Sequence, residues 1–334
     1  MNDNQGLEVS RINRIWNLPV TRLIPFSEVE ENRPVLLITS TPAWNAVKHL
    51  IHLPICKQVE VTQANTDHWD GLLSGAMPLN PADPPIEAVY AVGGGLVADA
   101  AKYMAVKLDL PMVCMPTALS VDAFLTAASG IRRDGCVFYI ETKPPEDIVL
   151  DLGVISEAPP KIRAAGITDV MSIATGSWDW KFAHEKGMNP PGMGFIPWVY
   201  DNARSILDGV LYCAEAAGRG EYDGLKTLFD CLSMEVQLCN QIGHARPEEG
   251  TEHYFAYAAE NEMGPGLPHG DLVGPGILIG AHMQGQDTAR LETALSACNI
   301  PLDNIPREIV ERTLKILPGY CRKHHLAYGI SHTL

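Results

Sequence analysis

The chain has no CxxC pair among its 8 cysteines. Cys56, Cys114, Cys136, Cys213, Cys231, Cys239, Cys298 and Cys321 are irregularly spaced, and several sit in apolar surroundings, as in Met112-Val113-Cys114-Met115. That pattern argues against a cysteine-bound zinc and predicts reduced, mostly buried thiols of a cytosolic protein. No apolar run reaches the roughly 20 residues of a membrane span, so no membrane partner is expected. Met1-Asn2-Asp3-Asn4-Gln5 lacks a basic stretch followed by an apolar one, so no secretory leader is expected and the expected compartment is the cytoplasm. Positive charge is scarce too. The 25 Lys and Arg against 40 Asp and Glu leave a formal net charge of −15, which disfavours nucleic acid as a partner. No internal repeat or low-complexity tract is present.

What the chain does have is an ordinary globular balance, 46% hydrophobic and 19% charged over 334 residues, a length that suits two domains. The first half alternates strand and helix. Pro34 to Ser40 is a continuous apolar run that ends in small polar residues, as a buried parallel strand should, and Thr41-Pro42 opens a helix through Leu50. Gln58 to Thr62, Ala88 to Val92 and Met112 to Met115 read as further strands. A hairpin is expected with Gly130 to Gly135 as its turn between Ala127-Ala128-Ser129 and Cys136 to Ile140, followed by a short strand at Ile148 to Asp151. Pro78 to Pro85 reads as a loop. After about residue 155 the texture changes to helical periodicity, over Lys161 to His184, Asp201 to Ala217, Gly224 to Ile242, Gly250 to Glu262, Val273 to Met283 and Pro306 to Ile316. The expected architecture is an α/β doubly wound parallel sheet in residues 1–155 and an all-α domain in residues 156–334. The tail beyond Ile316, with Cys321, His324 and His325, carries no recognisable functional motif.

Three places carry chemistry. In Val92-Gly93-Gly94-Gly95-Leu96-Val97-Ala98-Asp99-Ala100-Ala101-Lys102 a strand delivers three glycines to a helix start. Backbone without Cβ can approach a pyrophosphate, and helix N-terminal N–H groups point at it. The spacing is GGGxxxDxxK rather than GxGxxG, and a tight turn that binds nothing would also use glycines. Met115-Pro116-Thr117-Ala118-Leu119-Ser120-Val121-Asp122 follows a buried strand, so it lies at the carboxyl edge of the sheet, where open α/β sheets bind ligands. Ser120 or Asp122 could equally be a helix cap. Asp169, His253 and His269 stand out in the helical half. One carboxylate and two imidazoles suit a catalytic divalent ion with open positions, and zinc, nickel, iron and manganese are all compatible. Each alone would be weak, since an isolated histidine more often caps or hydrogen-bonds than ligates.

Taken together, GGGLVADAAK, MPTALSVDA, KPPEDIVLDLGVI, AGITDV, GTEHYFAY and HGDLVGPG resemble, in order, the glycerol dehydrogenase and glycerol-1-phosphate dehydrogenase group of the iron-containing alcohol dehydrogenase superfamily, a relative of 3-dehydroquinate synthase. The resemblance implies a nucleotide-binding domain, a helical domain and an active site in the cleft between them. It implies that Gly94, Gly95 and Asp99 meet the pyrophosphate and nicotinamide of NAD or NADP, that Thr117 and Ser120 make further cofactor contacts, that Asp122 lies near substrate hydroxyls, and that Asp169, His253 and His269 hold the metal, zinc by preference. The reaction implied is metal-assisted hydride transfer between a polyol or polyol phosphate and its ketone, foremost sn-glycerol-1-phosphate and dihydroxyacetone phosphate. Lys143 or Arg246 would join Asp122 in placing polar substrate groups. Homo-oligomers are common in the group. The alternatives are a glycerol or other polyol dehydrogenase, a sugar-phosphate cyclase of the dehydroquinate synthase type, and a non-catalytic nucleotide-binding protein. The sequence departs from the group's pattern at Glu249, where serine is usual, at Tyr254, where a second histidine is usual, and at Gln63, where an acid is frequent. Glu248 and Glu249 would set negative charge near a phosphate.

Overall fold

The computed structural model describes residues 15–76 and 85–334, so all but the last residue of the Pro78 to Pro85 loop lies outside the described residues. In the first half, β1 (Val20–Arg22), β2 (Val35–Thr39), α1 (Thr41–Val47), β3 (Ile55–Glu60), α2 (Thr66–Ala76), β4 (Ala88–Gly93), α3 (Gly95–Leu108) and β5 (Met112–Pro116) alternate. A hairpin of β6 (Ala128–Arg133) and β7 (Cys136–Glu141) precedes β8 (Asp147–Val149). Six strands form one parallel sheet in the order β1-β8-β5-β4-β2-β3. Every residue of β2, β4 and β5 is buried, which is why these strands read as unbroken apolar runs.

Two expected elements are displaced. The second strand covers Ile55–Glu60 rather than Gln58 to Thr62. It is the sheet edge, with Cys56, Lys57 and Gln58 exposed, and pairing from Val35↔Ile55 to Thr39↔Glu60 sets its position where apolar pattern is faint. The hairpin turn is Asp134-Gly135 alone, both at positive φ, as a two-residue turn between twisted strands requires. Residues 130–133, expected in the turn, belong to β6.

The helical half comprises α4 (Leu152–Ser156), α5 (Pro160–Arg163), α6 (Ile167–Met171), α7 (Ile173–Glu185), α8 (Pro197–Arg219), α9 (Tyr222–Ile242), α10 (Thr251–Met263), α11 (His269–Met283), α12 (Ala289–Ala297) and α13 (Arg307–Lys323). The periodic stretch from Lys161 to His184 is three helices, not one. It breaks at Ala164-Ala165-Gly166, where a Cβ on Gly166 would lie 3.0 Å from the Leu119 carbonyl oxygen and 3.2 Å from the Val121 nitrogen. The break lets the chain touch the loop after β5. There the Leu119 N–H donates to Arg163 O at 2.9 Å and the Gly166 N–H to Leu119 O at 2.7 Å, tying the two halves together. α11 starts four residues earlier than its apolar period, at His269, and carries Pro275 inside it. The proline withholds an N–H from Asp271 O, and Asn304 Nδ2 donates to that oxygen at 3.0 Å instead. α12 was not anticipated. Among the described residues, no helix is long and apolar enough to cross a membrane.

Candidate active site

The chain passes from β2 outward to β3, then returns to the other side of β2 to lay down β4. The carboxyl ends of β2 and β4 therefore flank a topological switch point, the place where open α/β sheets leave a crevice. Thr39 Oγ1 donates to Val92 O at 2.7 Å across it. Gly93, Gly94 and Gly95 leave β4 at this spot and enter α3. A Cβ on Gly93 would sit 2.8 Å from Val97 Cγ2, and one on Gly95 would collide with Val121 Cγ2, so these two glycines serve close packing within the chain. Gly94 differs. Its Cβ would meet only Ser120 Oγ, at 3.1 Å, and it N-caps α3 without any side-chain cap. An uncapped N-terminus of a 14-residue helix behind a glycine suits a pyrophosphate.

The loop after β5 lies beside this turn. The Thr117 N–H donates to Gly93 O at 3.2 Å, and Ser120 faces Gly94. Asp99 is placed differently from Thr117 and Ser120. Its Oδ1 lies 3.0 Å from Nζ of fully buried Lys102, and its other oxygen faces Gly130. Burial pushes the Asp99 carboxyl up and Lys102 opposes that. Lys102 also donates to Thr126 Oγ1 at 3.1 Å and to Ala128 O, joining α3 to the hairpin.

Asp169, His253 and His269 come from α6, α10 and α11, and one ligand atom from each lies within 4.8 Å of the others. His269 Nε2 is 3.2 Å from Asp169 Oδ1. The other Asp169 oxygen accepts the backbone N–H of Asp122 at 2.8 Å, so the loop after β5 orients the carboxylate. His253 Nδ1 is 2.9 Å from Glu252 Oε1, which leaves Nε2 for a ligand. Burial resists a charge on His253, but the hydrogen bond and charge of Glu252 outweigh it and hold the imidazole up at about 9. Burial first, then the charge of Asp169, pushes the Asp122 carboxyl up to about 7. Gly276 of α11 packs directly on the Glu252 carbonyl, where a Cβ would collide, and this draws the helices bearing His253 and His269 together. A carboxylate, two imidazoles and a buried acid behind one imidazole form a donor set that fits a divalent ion.

A model of the iron-containing alcohol dehydrogenase family matches residues 20–159. A glycerol-1-phosphate dehydrogenase [NAD(P)+] of Methanothrix thermoacetophila is 30% identical over 237 residues, 70% of this chain and 66% of that protein. In sequence the chain is similar to the iron-containing alcohol dehydrogenases. The family member of the same name from Metallosphaera sedula is 27% identical over 292 residues, covering 85% of this chain and 81% of its own. Matches to the Methanothrix protein and to its Pyrococcus horikoshii counterpart span 66% and 62% of those relatives. The fold is that of a probable glycerol dehydrogenase from Sinorhizobium meliloti, with a TM-score of 0.69 and 18% identity over 92% of this chain and 90% of that one.

Several expected residues take other places. Lys143 Nζ lies 3.4 Å from Asp109 Oδ1, just beyond the C-terminus of α3. At 1.5 Å per residue that is about 20 Å from the glycine turn, so Lys143 is not a substrate residue. Arg246 is buried and its guanidinium is committed to Glu249 O, the Tyr254 hydroxyl and Tyr328 O. Tyr254 thus serves a structural bond. Glu249 Oε1 accepts from the Tyr257 hydroxyl at 3.0 Å, and the Tyr257 ring lies 5.9 Å from that of His253, so the acid borders the cluster. Gln63 is exposed and accepts from Asn65 Nδ2 at 3.1 Å. Three residues escaped the sequence reading. Glu252 has no role in the sequence beyond adjoining His253, and the structure turns its carboxylate onto that imidazole. Glu235 of α9 is 1% exposed with neither carboxylate oxygen hydrogen-bonded, and burial, then Glu248, Asp122 and Asp169, push it well up. The third is Asp179 of α7, fully buried with its Oδ2 accepting the Thr251 N–H at 2.8 Å.

Proposed function

We propose that the chain is a metal-dependent NAD(P)-linked dehydrogenase that interconverts a polyol or polyol phosphate and its ketone, with sn-glycerol-1-phosphate and dihydroxyacetone phosphate as the leading pair. Residues 1–155 would take the nucleotide and residues 156–334 the metal. The observation that carries this reading is the Asp122–Asp169 hydrogen bond, which sets the three-residue donor cluster against the loop that also flanks the glycine turn. When bound, the metal supplies Lewis acidity toward an alcohol oxygen and the nicotinamide accepts hydride.

The chain's own residues divide the work. Gly93, Gly94 and Gly95 shape the nucleotide turn, and Ser120 and Thr117 line its flank. Asp169, His253 and His269 would hold the ion, with zinc the first candidate ahead of nickel, iron and manganese. Asp122 meets substrate hydroxyls. The glycerol-1-phosphate dehydrogenase relatives and the order of motifs support the substrate class. All 8 cysteines are free, which supports a cytoplasmic compartment. Exposed Trp198, Tyr212, Tyr222 and Met234 on α8 and α9 support a homo-oligomer.

The test is oxidation of NADH and of NADPH by metal-loaded protein, with dihydroxyacetone phosphate and dihydroxyacetone compared. Turnover of the phosphate, lost in Asp169→Asn, upholds the reading. Turnover of dihydroxyacetone alone moves the chain to the glycerol dehydrogenases, and turnover of neither removes the assignment.

A further inference from the structure

α10 carries His253 in its first turn, yet its N-cap is Gly250, which has no side chain to satisfy the free N–H groups there. The missing cap comes from two other places. Glu252 Oε1 accepts the Gly250 N–H at 2.6 Å while also meeting His253 Nδ1. Asp179, from the middle of α7, reaches across so that its Oδ2 accepts the Thr251 N–H at 2.8 Å. The other Asp179 oxygen accepts the Ile330 N–H at 2.8 Å and Gln284 Nε2 at 3.2 Å. Asp179 is completely buried. A carboxylate survives such burial only with donors on both oxygens, and the N-terminus of α10 adds a favourable dipole.

The C-terminal segment closes the same knot. The Ser331 N–H donates to Thr251 Oγ1 at 3.1 Å, and Arg246 Nη2 donates to Tyr328 O at 2.8 Å. Gly250 and Gly329 both press on the Asp179 side chain. A Cβ on Gly250 would lie 2.8 Å from Asp179 Oδ2, and one on Gly329 would lie 2.5 Å from Asp179 Cγ. Gly329 has an extended backbone, so the space, not the torsion, demands glycine.

We infer that Asp179 and the C-terminal segment Tyr328–Ser331 form a positioning device that fixes the first turn of α10, and through Glu252 the imidazole of His253, for metal binding. The inference rests on the metal reading proposed above. Asp179 touches neither ligand nor ion; it acts through Thr251 and Glu252.

The test compares wild type with Asp179→Asn and with a chain lacking residues 328–334. An amide nitrogen at either Asp179 oxygen confronts an N–H donor. Three readouts are taken: divalent-ion affinity by chelator competition, the visible spectrum of the cobalt-loaded protein, and amide exchange at Thr251, Glu252 and His253 without metal. The expected result is a loss of affinity of about 10- to 100-fold, a changed cobalt spectrum, and exchange at least about tenfold faster in that turn, with far-ultraviolet circular dichroism retained. Unchanged exchange in that turn overturns the inference, as does unchanged affinity and spectrum. If wild type binds no divalent ion, the metal reading falls, and exchange alone then decides whether Asp179 and the tail hold α10. Should Asp179→Asn fail to fold, the shortened chain supplies the same readouts.

Discussion

The backbone N–H of Asp122 and Asp169 Oδ2 are 2.8 Å apart, a hydrogen bond between the loop that ends a sheet strand and a helix of the other half. It leaves Asp169 Oδ1 turned to His269 Nε2, 3.2 Å away. Asp169→Asn cannot serve both sides at once, because one of its oxygens becomes an amide nitrogen. We expect it to lose more than the roughly 10- to 100-fold in metal affinity typical of residues standing behind a ligand, with the fold kept. Equilibrium dialysis with a radioactive divalent ion measures this, and near-normal affinity would remove Asp169 from the donor set.

The glycine turn gives a graded prediction. Gly95→Ala drives a methyl into Val121 and should destabilise the protein by about 1–3 kcal/mol, seen as a lower denaturant midpoint. Gly94→Ala meets only Ser120 Oγ at 3.1 Å, so it should fold nearly as well as wild type. Its methyl would instead occupy the approach of the nucleotide. Fluorescence titration with NADH should show weaker binding by about tenfold or more, or roughly 1.4 kcal/mol. Equal binding by wild type and Gly94→Ala would place the nucleotide elsewhere.

The family resemblance offers Lys143 as a residue that places polar substrate groups, and the structure puts it in an exposed pair with Asp109. Such pairs contribute little. Lys143→Ala should therefore leave KM for the ketone within about twofold and the melting temperature essentially unchanged. A large rise in KM would contradict its assigned position.

Far from the site, Glu31 accepts from Arg33 and from the Tyr90 hydroxyl at 2.9 Å. The Arg33 hydrogen bond holds its carboxyl down at about 2, against an ordinary value of 4.5. A depressed carboxylate stabilises the fold above its unfolded value and loses that effect as pH falls toward its folded value. The stability gap between wild type and Glu31→Gln should be full above about pH 4.5 and close by about pH 2. Urea unfolding across that range checks it, and a gap that widened on acidification would have the wrong sign.

Much of this architecture could be read before any coordinates. β2, β4 and β5 are buried on both faces, so their apolar runs survive in the sequence as a local signal. The glycine turn and the residues Asp169, His253 and His269 stand out in the sequence because the chemistry restricts their type, and the structure gathers the last three into one cluster. β3 slid by several residues because an edge strand with exposed Cys56, Lys57 and Gln58 has little pattern to read. β1 went unnoticed. Its three residues acquire their strand character only by pairing with Asp147, Ile148 and Val149, more than a hundred positions away. Asp179 was invisible for a related reason. It sits mid-helix among apolar and aromatic residues, and its partners Thr251 and Ile330 are 72 and 151 positions distant. The tail beyond Ile316 looked inert for the same cause, since its bonds to α10 leave no local motif.

The account stands or falls on one ion held by Asp169, His253 and His269. The most direct measurement is a titration of metal-stripped protein with zinc, recording bound ion and ketone-dependent NAD(P)H oxidation in the same samples. The account predicts that turnover is absent without metal, rises in step with occupancy to one ion per chain, and fails to appear in His269→Ala at the same ion concentration. Full turnover in the stripped protein, or in His269→Ala without bound ion, would contradict it.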